Sequence, residues 1–187
     1  DVAPVANAVA FTTTYNAPAT AVTLNVTGGA ATSVAVVTAP VNGTATATGT
    51  TISYQPATGF AGTDTFNYTA TNSGGTSAPA TVTVTIADPI VTITASSGLS
   101  TGVGAAYSQT FTWNGGAQPW SGYQVANLPA GLSITATTSN SVTISGAPTQ
   151  AGTFNLAVSA TDSSTGSGPF TIGQAFTLAV DAPTLTL

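Results

Sequence analysis

Five aspartates are the only side chains in this 187-residue sequence that titrate below neutrality. They are Asp1, Asp64, Asp88, Asp162 and Asp181, and the chain has no Lys, Arg, His, Glu or Cys. Carboxylates can hold calcium, but that ion takes six to eight oxygen ligands, and these five stand at least nineteen residues apart. Asp88 could meet Asp1 or Asp162 only through folding. The alternative role of Asp64 and Asp162 is to tie down turns through hydrogen bonds to nearby backbone. For catalysis, a Ser or Thr nucleophile would lack a basic partner to activate it. A carboxylate pair made of Asp64 and Asp162 would need two separate modules in contact. Without lysine no Lys–Asn isopeptide staple can form. The sequence therefore predicts no catalytic residue, no metal site, no cofactor and no enzymatic activity.

Two further groups could recognise a ligand. Trp113, Trp120 and Tyr123 cluster within Thr112–Tyr123, beside Asn114 and Gln118. Exposed, such rings would stack on a sugar, since amphipathic aromatics suit mixed apolar and polar ligands; turned inward, they would plug a core. Asn25-Val26-Thr27, Asn42-Gly43-Thr44 and Asn67-Tyr68-Thr69 satisfy the glycosylation acceptor pattern. In a chain about a fifth Thr such triplets arise by chance.

Composition limits what can position these residues. The charged fraction is 3% and the hydrophobic fraction 42%, the reverse of the disordered signature. Heavy use of Thr and Val favours pleated, half-buried strands. Lacking any basic residue, the chain has neither a phosphate clamp for nucleic acid nor a polybasic membrane patch. No run reaches the 18 apolar residues of a spanning helix, and the alternating runs are too short for an outer-membrane barrel. No signal peptide stands at Asp1.

Along the chain, short alternating runs recur every 8–12 residues between Gly, Pro and Asn turns, the signature of a β-sandwich. The runs expected as strands are 21–26, 33–37, 44–48, 51–55, 63–71 and 81–86. They are followed by 91–95, 108–113, 123–126, 132–135, 141–145, 153–160 and 174–180. Ala61-Gly62-Thr63 returns as Ala151-Gly152-Thr153, and Ala70-Thr71-Asn72-Ser73 returns as Ala160-Thr161-Asp162-Ser163, at one offset of ninety. A fixed long period marks two copies of one module. Period two then places Phe66, Tyr68, Ala70, Val82, Val84 and Ile86 in one core. In the other it places Leu156, Val158, Ala160, Phe176, Leu178 and Val180. Punctuation by Asp1-Val2-Ala3-Pro4, Asp88-Pro89 and Asp181-Ala182-Pro183 divides the chain into 1–87, 88–182 and 183–187. The last piece reads as the start of a further repeat or as an exchanged strand.

The first module resembles the bacterial Ig-like, cadherin-like repeats of large surface proteins. The resemblance is carried by Asn42-Gly43-Thr44, Tyr54-Gln55-Pro56, Gly59-Phe60-Ala61-Gly62-Thr63-Asp64 and Phe66-Asn67-Tyr68. The second is similar to the "putative Ig" repeat family, through Gly104–Gln109, Leu128–Leu132, Ser145–Phe154 and Ala160-Thr161-Asp162. Together these imply an all-β chain of two tandem Greek-key Ig-like sandwiches with about seven strands each. They also imply a secreted or surface-displayed bacterial protein. Cadherin-like repeats often bind Ca²⁺, but Asn72 stands where the first family usually carries Asp.

The expected function is structural: tandem repeats forming a stalk or fibre of an adhesin-like surface protein, with neighbouring repeats as partners. One rival is a self-assembling filament subunit, joined by addition of Thr184, Leu185, Thr186 and Leu187 to a neighbour's sheet edge. Another is a carbohydrate-binding module that uses Trp113, Trp120 and Tyr123 on a host or surface glycan. Trypsin-like proteases have no site in the chain. With five carboxylates and no histidine, stability should hardly change between about pH 5 and 9.

Overall fold

The computed structural model describes residues 1–183. The chain divides into two compact units: Asp1–Pro89 together with Thr165–Gly168, and Ile90–Ser164 with the segment from Pro169 onward. Both are built from strands, and each encloses its own apolar core.

Unit one contains β1 (Pro4–Asn7), β2 (Val9–Thr13), β3 (Thr20–Val22), β4 (Asn25–Gly28) and β5 (Ser33–Thr38). It continues with β6 (Gly43–Thr48), β7 (Thr51–Pro56), β8 (Phe60–Asn72), β9 (Gly75–Thr76) and β10 (Ala80–Ile86). The long β8 is the hub. It pairs antiparallel with β10 in register Phe66↔Val82 and Asp64↔Val84, and its later half pairs with β5 and β9. β2 extends this sheet by running parallel to β10. A second sheet has the order β3-β7-β6, and β1 pairs with β4 as a ribbon. Period-two burial on β10 is complete, since Ala80, Val82, Val84 and Ile86 are buried and Thr81, Thr83 and Thr85 exposed. They meet Phe66, Tyr68 and Ala70 from β8 and Ile52 and Tyr54 from β7. Tyr54 and Phe66 stack with ring centroids 6.1 Å apart.

Unit two contains β11 (Thr92–Ala95), β12 (Ser100–Gly102), β13 (Tyr107–Asn114), β14 (Ser121–Ala126), β15 (Leu132–Thr137), β16 (Ser141–Gly146), β17 (Gly152–Thr161) and β19 (Thr171–Asp181). The two-residue β18 (Thr165–Gly166) lies in the segment counted with unit one. One sheet has the order β11-β13-β16-β15 and the other β12-β19-β17-β14. Phe111, Trp113, Val142 and Ile144 from the first pack with Leu156, Val158, Ala160, Leu178 and Val180 from the second. Phe176 is half-buried and tilts against Phe111 at 4.8 Å.

Three departures from the sequence reading have physical causes. The run 21–26, expected as one strand, is broken at Thr23–Leu24. Before the break the chain pairs with β7 and after it with β1, so it changes partners where a single strand could not. Each unit also opens with two short strands that serve different sheets, which the sequence reading missed apart from a run over β11. β1 and β11 run antiparallel to their neighbours, whereas β2 and β12 run parallel to the last long strand of their unit. Strands of three to five residues carry too little alternation to stand out. Finally, Gln109 lies on the inward face between Phe111 and the strand's start and is fully buried. Its carboxamide accepts from Ser97 Oγ at 2.6 Å and donates to the Thr110 carbonyl at 2.9 Å, which satisfies it.

Candidate functional site

Asp64 sits on β8 with 4% of its surface exposed. Its Oδ1 accepts the backbone N–H groups of Val41 at 3.2 Å and Thr65 at 2.9 Å. Its Oδ2 accepts the N–H of Asn42 at 2.9 Å and the hydroxyl of Tyr54 at 2.9 Å. Four donors fill the roughly four lone-pair positions of a carboxylate. The side chain thus fastens the β5–β6 loop onto β8 and β7. Burial, the hydrogen bond to Asp64 and the nearby negative charge push the Tyr54 hydroxyl well above the ordinary phenol range, so it stays a donor.

Asp162 follows β17 and is 3% exposed. Its Oδ1 accepts the N–H groups of Ser164 at 3.2 Å and Phe170 at 2.8 Å. Its Oδ2 accepts the N–H of Ala117 at 3.1 Å and the hydroxyl of Ser164 at 2.5 Å. Burial alone would raise this carboxyl, but the bonds from Ser164, Phe170 and Ala117 outweigh it and hold it below the usual aspartate value. The chemistry is therefore that of a structural clasp. With both oxygens filled, a cation would have to displace backbone donors, and no group of three acidic or other metal-ligating side chains gathers among the described residues.

Ninety residues apart, the two hub strands place different groups at matching positions. Where unit one has Asp64, unit two has Phe154, which packs against its core. Where unit two has Asp162, unit one has Asn72, also buried. Asn72 faces two carbonyls, donating to Val2 at 2.8 Å and Ala30 at 3.1 Å, and it accepts from the N–H of Gly74 at 2.8 Å. An amide meets carbonyls where a carboxylate meets N–H groups, and this explains the residue types.

The aromatic cluster exists but is turned inward. Trp113 and Trp120 are 1% and 3% exposed, with centroids 6.0 Å apart, and Tyr123 meets Trp113 at 5.2 Å. Trp113 Nε1–H donates to the Ile172 carbonyl at 3.2 Å. Neither indole offers a face for a sugar, so the exposed stacking platform is not what these residues build. The cause is period two on β13, which puts Trp113 on the same face as Phe111. Tyr123 is half-buried, and its hydroxyl donates to the Thr138 carbonyl. Among the acceptor triplets, Asn25 is exposed on β4, while Asn42 and Asn67 are half-buried. Thr184, Leu185, Thr186 and Leu187 lie outside the described residues.

The surface also lacks the ion pairs of ordinary proteins, and hydroxyls take their place across strands. Thr110 and Thr143 bond at 2.8 Å, Ser145 donates to Thr135 at 2.9 Å, and Thr161 and Thr171 bond at 2.7 Å.

Two family models, one for each unit, agree with this architecture. Residues 1–85 match the family described as "Bacterial Ig domain", and residues 89–181 match the family described as "Putative Ig domain". No curated protein matches the chain. Among solved structures, a fragment of titin is 14% identical, with 97% of this chain and 66% of that one covered at a TM-score of 0.49. An endo-fucoidan hydrolase of glycoside hydrolase family 107 is 16% identical, with 97% of this chain and 29% of that one covered at 0.41. Extracellular cadherin domains of protocadherin gamma B2 are 14% identical, with 95% and 47% covered at 0.40. The chain thus spans less than half the length of the hydrolase and of the protocadherin.

Proposed function

The chain is a bacterial Ig domain followed in tandem by a second Ig-family domain, and from that premise we propose that it works as a non-enzymatic structural segment. In this reading it is part of a stalk or fibre of a large bacterial surface protein, with neighbouring repeats as its partners. The observation that carries the reading is that both buried carboxylates and both indoles are spent inside the modules. The chemistry of the chain goes into holding two sandwiches shut in series.

Edge geometry favours serial repeats over side-by-side assembly. Unpaired edges recruit other strands unless charge, shortness or a bulge prevents it, and this chain has almost no charge to use. Instead β5, β14 and β15, each paired on one side only, carry register shifts at Val36/Thr38, Ser121/Gln124 and Ile134/Ala136. Such shifts bend and twist an edge out of pairing geometry. β3 and β12 have only three residues each. The filament alternative is supported by β6, an unshifted six-residue strand with Thr44, Thr46 and Thr48 exposed.

Stretching single molecules tests the proposal. A stalk of two modules gives two unfolding events, each releasing about 300 Å of chain at roughly 3.4 Å per residue. One event, or fibres that lengthen with protein concentration, would count against it.

A further inference from the structure

Asp88 precedes Pro89, and no other aspartate in the chain is followed by proline. The pair lies in the five residues between β10 and β11 that belong to no strand, with Asp88 exposed. Among the described residues, the Asp88 carboxylate has no hydrogen-bond partner. This sets it apart from Asp64 and Asp162, whose oxygens are each held by two donors. The linker is tied at Ala87, whose N–H donates to the Thr13 carbonyl at 3.0 Å. β2, β10 and β11, the strands around it, contain no titratable or charged side chain.

We propose that the Asp88–Pro89 peptide bond is an acid-triggered self-scission site that divides the tandem into its two modules. A carboxylate is a competent nucleophile when held beside its target, and here the target is its own residue's carbonyl. A side-chain oxygen of Asp88 forms a bond to the Asp88 main-chain carbonyl carbon, closing a five-membered cyclic anhydride. The bond from that carbon to the Pro89 nitrogen breaks. Its electron pair stays on nitrogen, which takes a proton from solvent acid and leaves as the secondary amine of Pro89. Water then opens the anhydride, so the net reaction is hydrolysis of one peptide bond by water. Proline favours the step because its tertiary amide nitrogen, with no N–H and a second alkyl substituent, takes up the acid proton more readily than a secondary amide nitrogen does. Asp88 is exposed and Pro89 half-buried in a segment outside both cores, so solvent acid reaches the peptide without unfolding either core.

The experiment is incubation of the intact folded chain at about pH 3, where solvent acid is available to protonate the leaving nitrogen, with scission read by intact mass. The expected products are 1–88 and 89–187, with none formed at neutral pH. Asp88→Asn removes the nucleophile, and Pro89→Ala exchanges the tertiary amide nitrogen that leaves for a secondary one. Asp88→Asn should slow this scission by on the order of 100-fold or more, the loss of an intramolecular reactant, and Pro89→Ala should slow it by less. A parallel sample in urea at the same pH should cleave at a rate similar to the folded chain, because the bond is already accessible. The proposal is overturned by an uncut parent chain, by Asp88→Asn cutting as fast as the parent, or by scission that needs urea.

Discussion

β8 of unit one and β17 of unit two occupy matching places ninety residues apart, yet they carry their buried charge at opposite ends. In unit one the carboxylate comes early, at Asp64, and the later position holds the amide of Asn72. In unit two the early position holds Phe154 and the carboxylate comes late, at Asp162. Each unit holds one fully satisfied anion, but the loops that supply the donors differ: 41–42 in the first case, Ala117 and 164–170 in the second. The repeat thus preserves the need for a clasp without preserving its position. What a position accepts is set by the backbone groups it faces, carbonyls around Asn72 and N–H groups around Asp162.

The severest way to break this comparison is Asn72→Asp. It would put a carboxylate against the Val2 and Ala30 carbonyls, removing two hydrogen bonds and adding an unpaired buried charge. The expected cost is about 3–5 kcal/mol, measured as a fall in the urea midpoint of unit one. The reciprocal change, Asp162→Asn, keeps one accepting oxygen and leaves an N–H without a partner, for about 2–4 kcal/mol.

A pH titration sharpens the same contrast. Because the folded Asp162 carboxyl lies below its unfolded value, its contribution is fully present above the ordinary aspartate range. It is lost as pH falls through the folded value. Stability of unit two should therefore be flat from about pH 5 to 9 and decline in acid, and Asp162→Asn should remove that part of the decline. Smaller still is Tyr54→Phe, which takes one of four donors from Asp64 and leaves three backbone N–H groups in place. It should cost about 1–2 kcal/mol by thermal unfolding.

Much of this was legible in the sequence because period two and a long repeat survive without chemistry to mark them. The inward faces of β8 and β10 follow directly from Phe66, Tyr68, Ala70, Val82, Val84 and Ile86. The clasps were only half legible. Asp64 and Asp162 can be read as turn-fasteners, but their partners Val41, Ala117 and Phe170 are remote in sequence and contribute backbone groups, which leave no residue signature. Trp120 lies outside any strand, so no periodicity said that it would pack beside Trp113 in the core. Two-sheet entry depends on remote pairing: β1 and β11 join β4 and β13, whereas β2 and β12 join β10 and β19 at the end of each unit.

The central claim is that each module is closed by its own clasp. It can be tested directly because both tryptophans lie in unit two and unit one has none. In urea unfolding of Asp64→Asn, far-ultraviolet circular dichroism reads both units while tryptophan fluorescence reads only the second. The account predicts a lowered dichroism transition for unit one and a fluorescence midpoint unchanged from the parent chain. A fluorescence midpoint that falls together with the dichroism would contradict it.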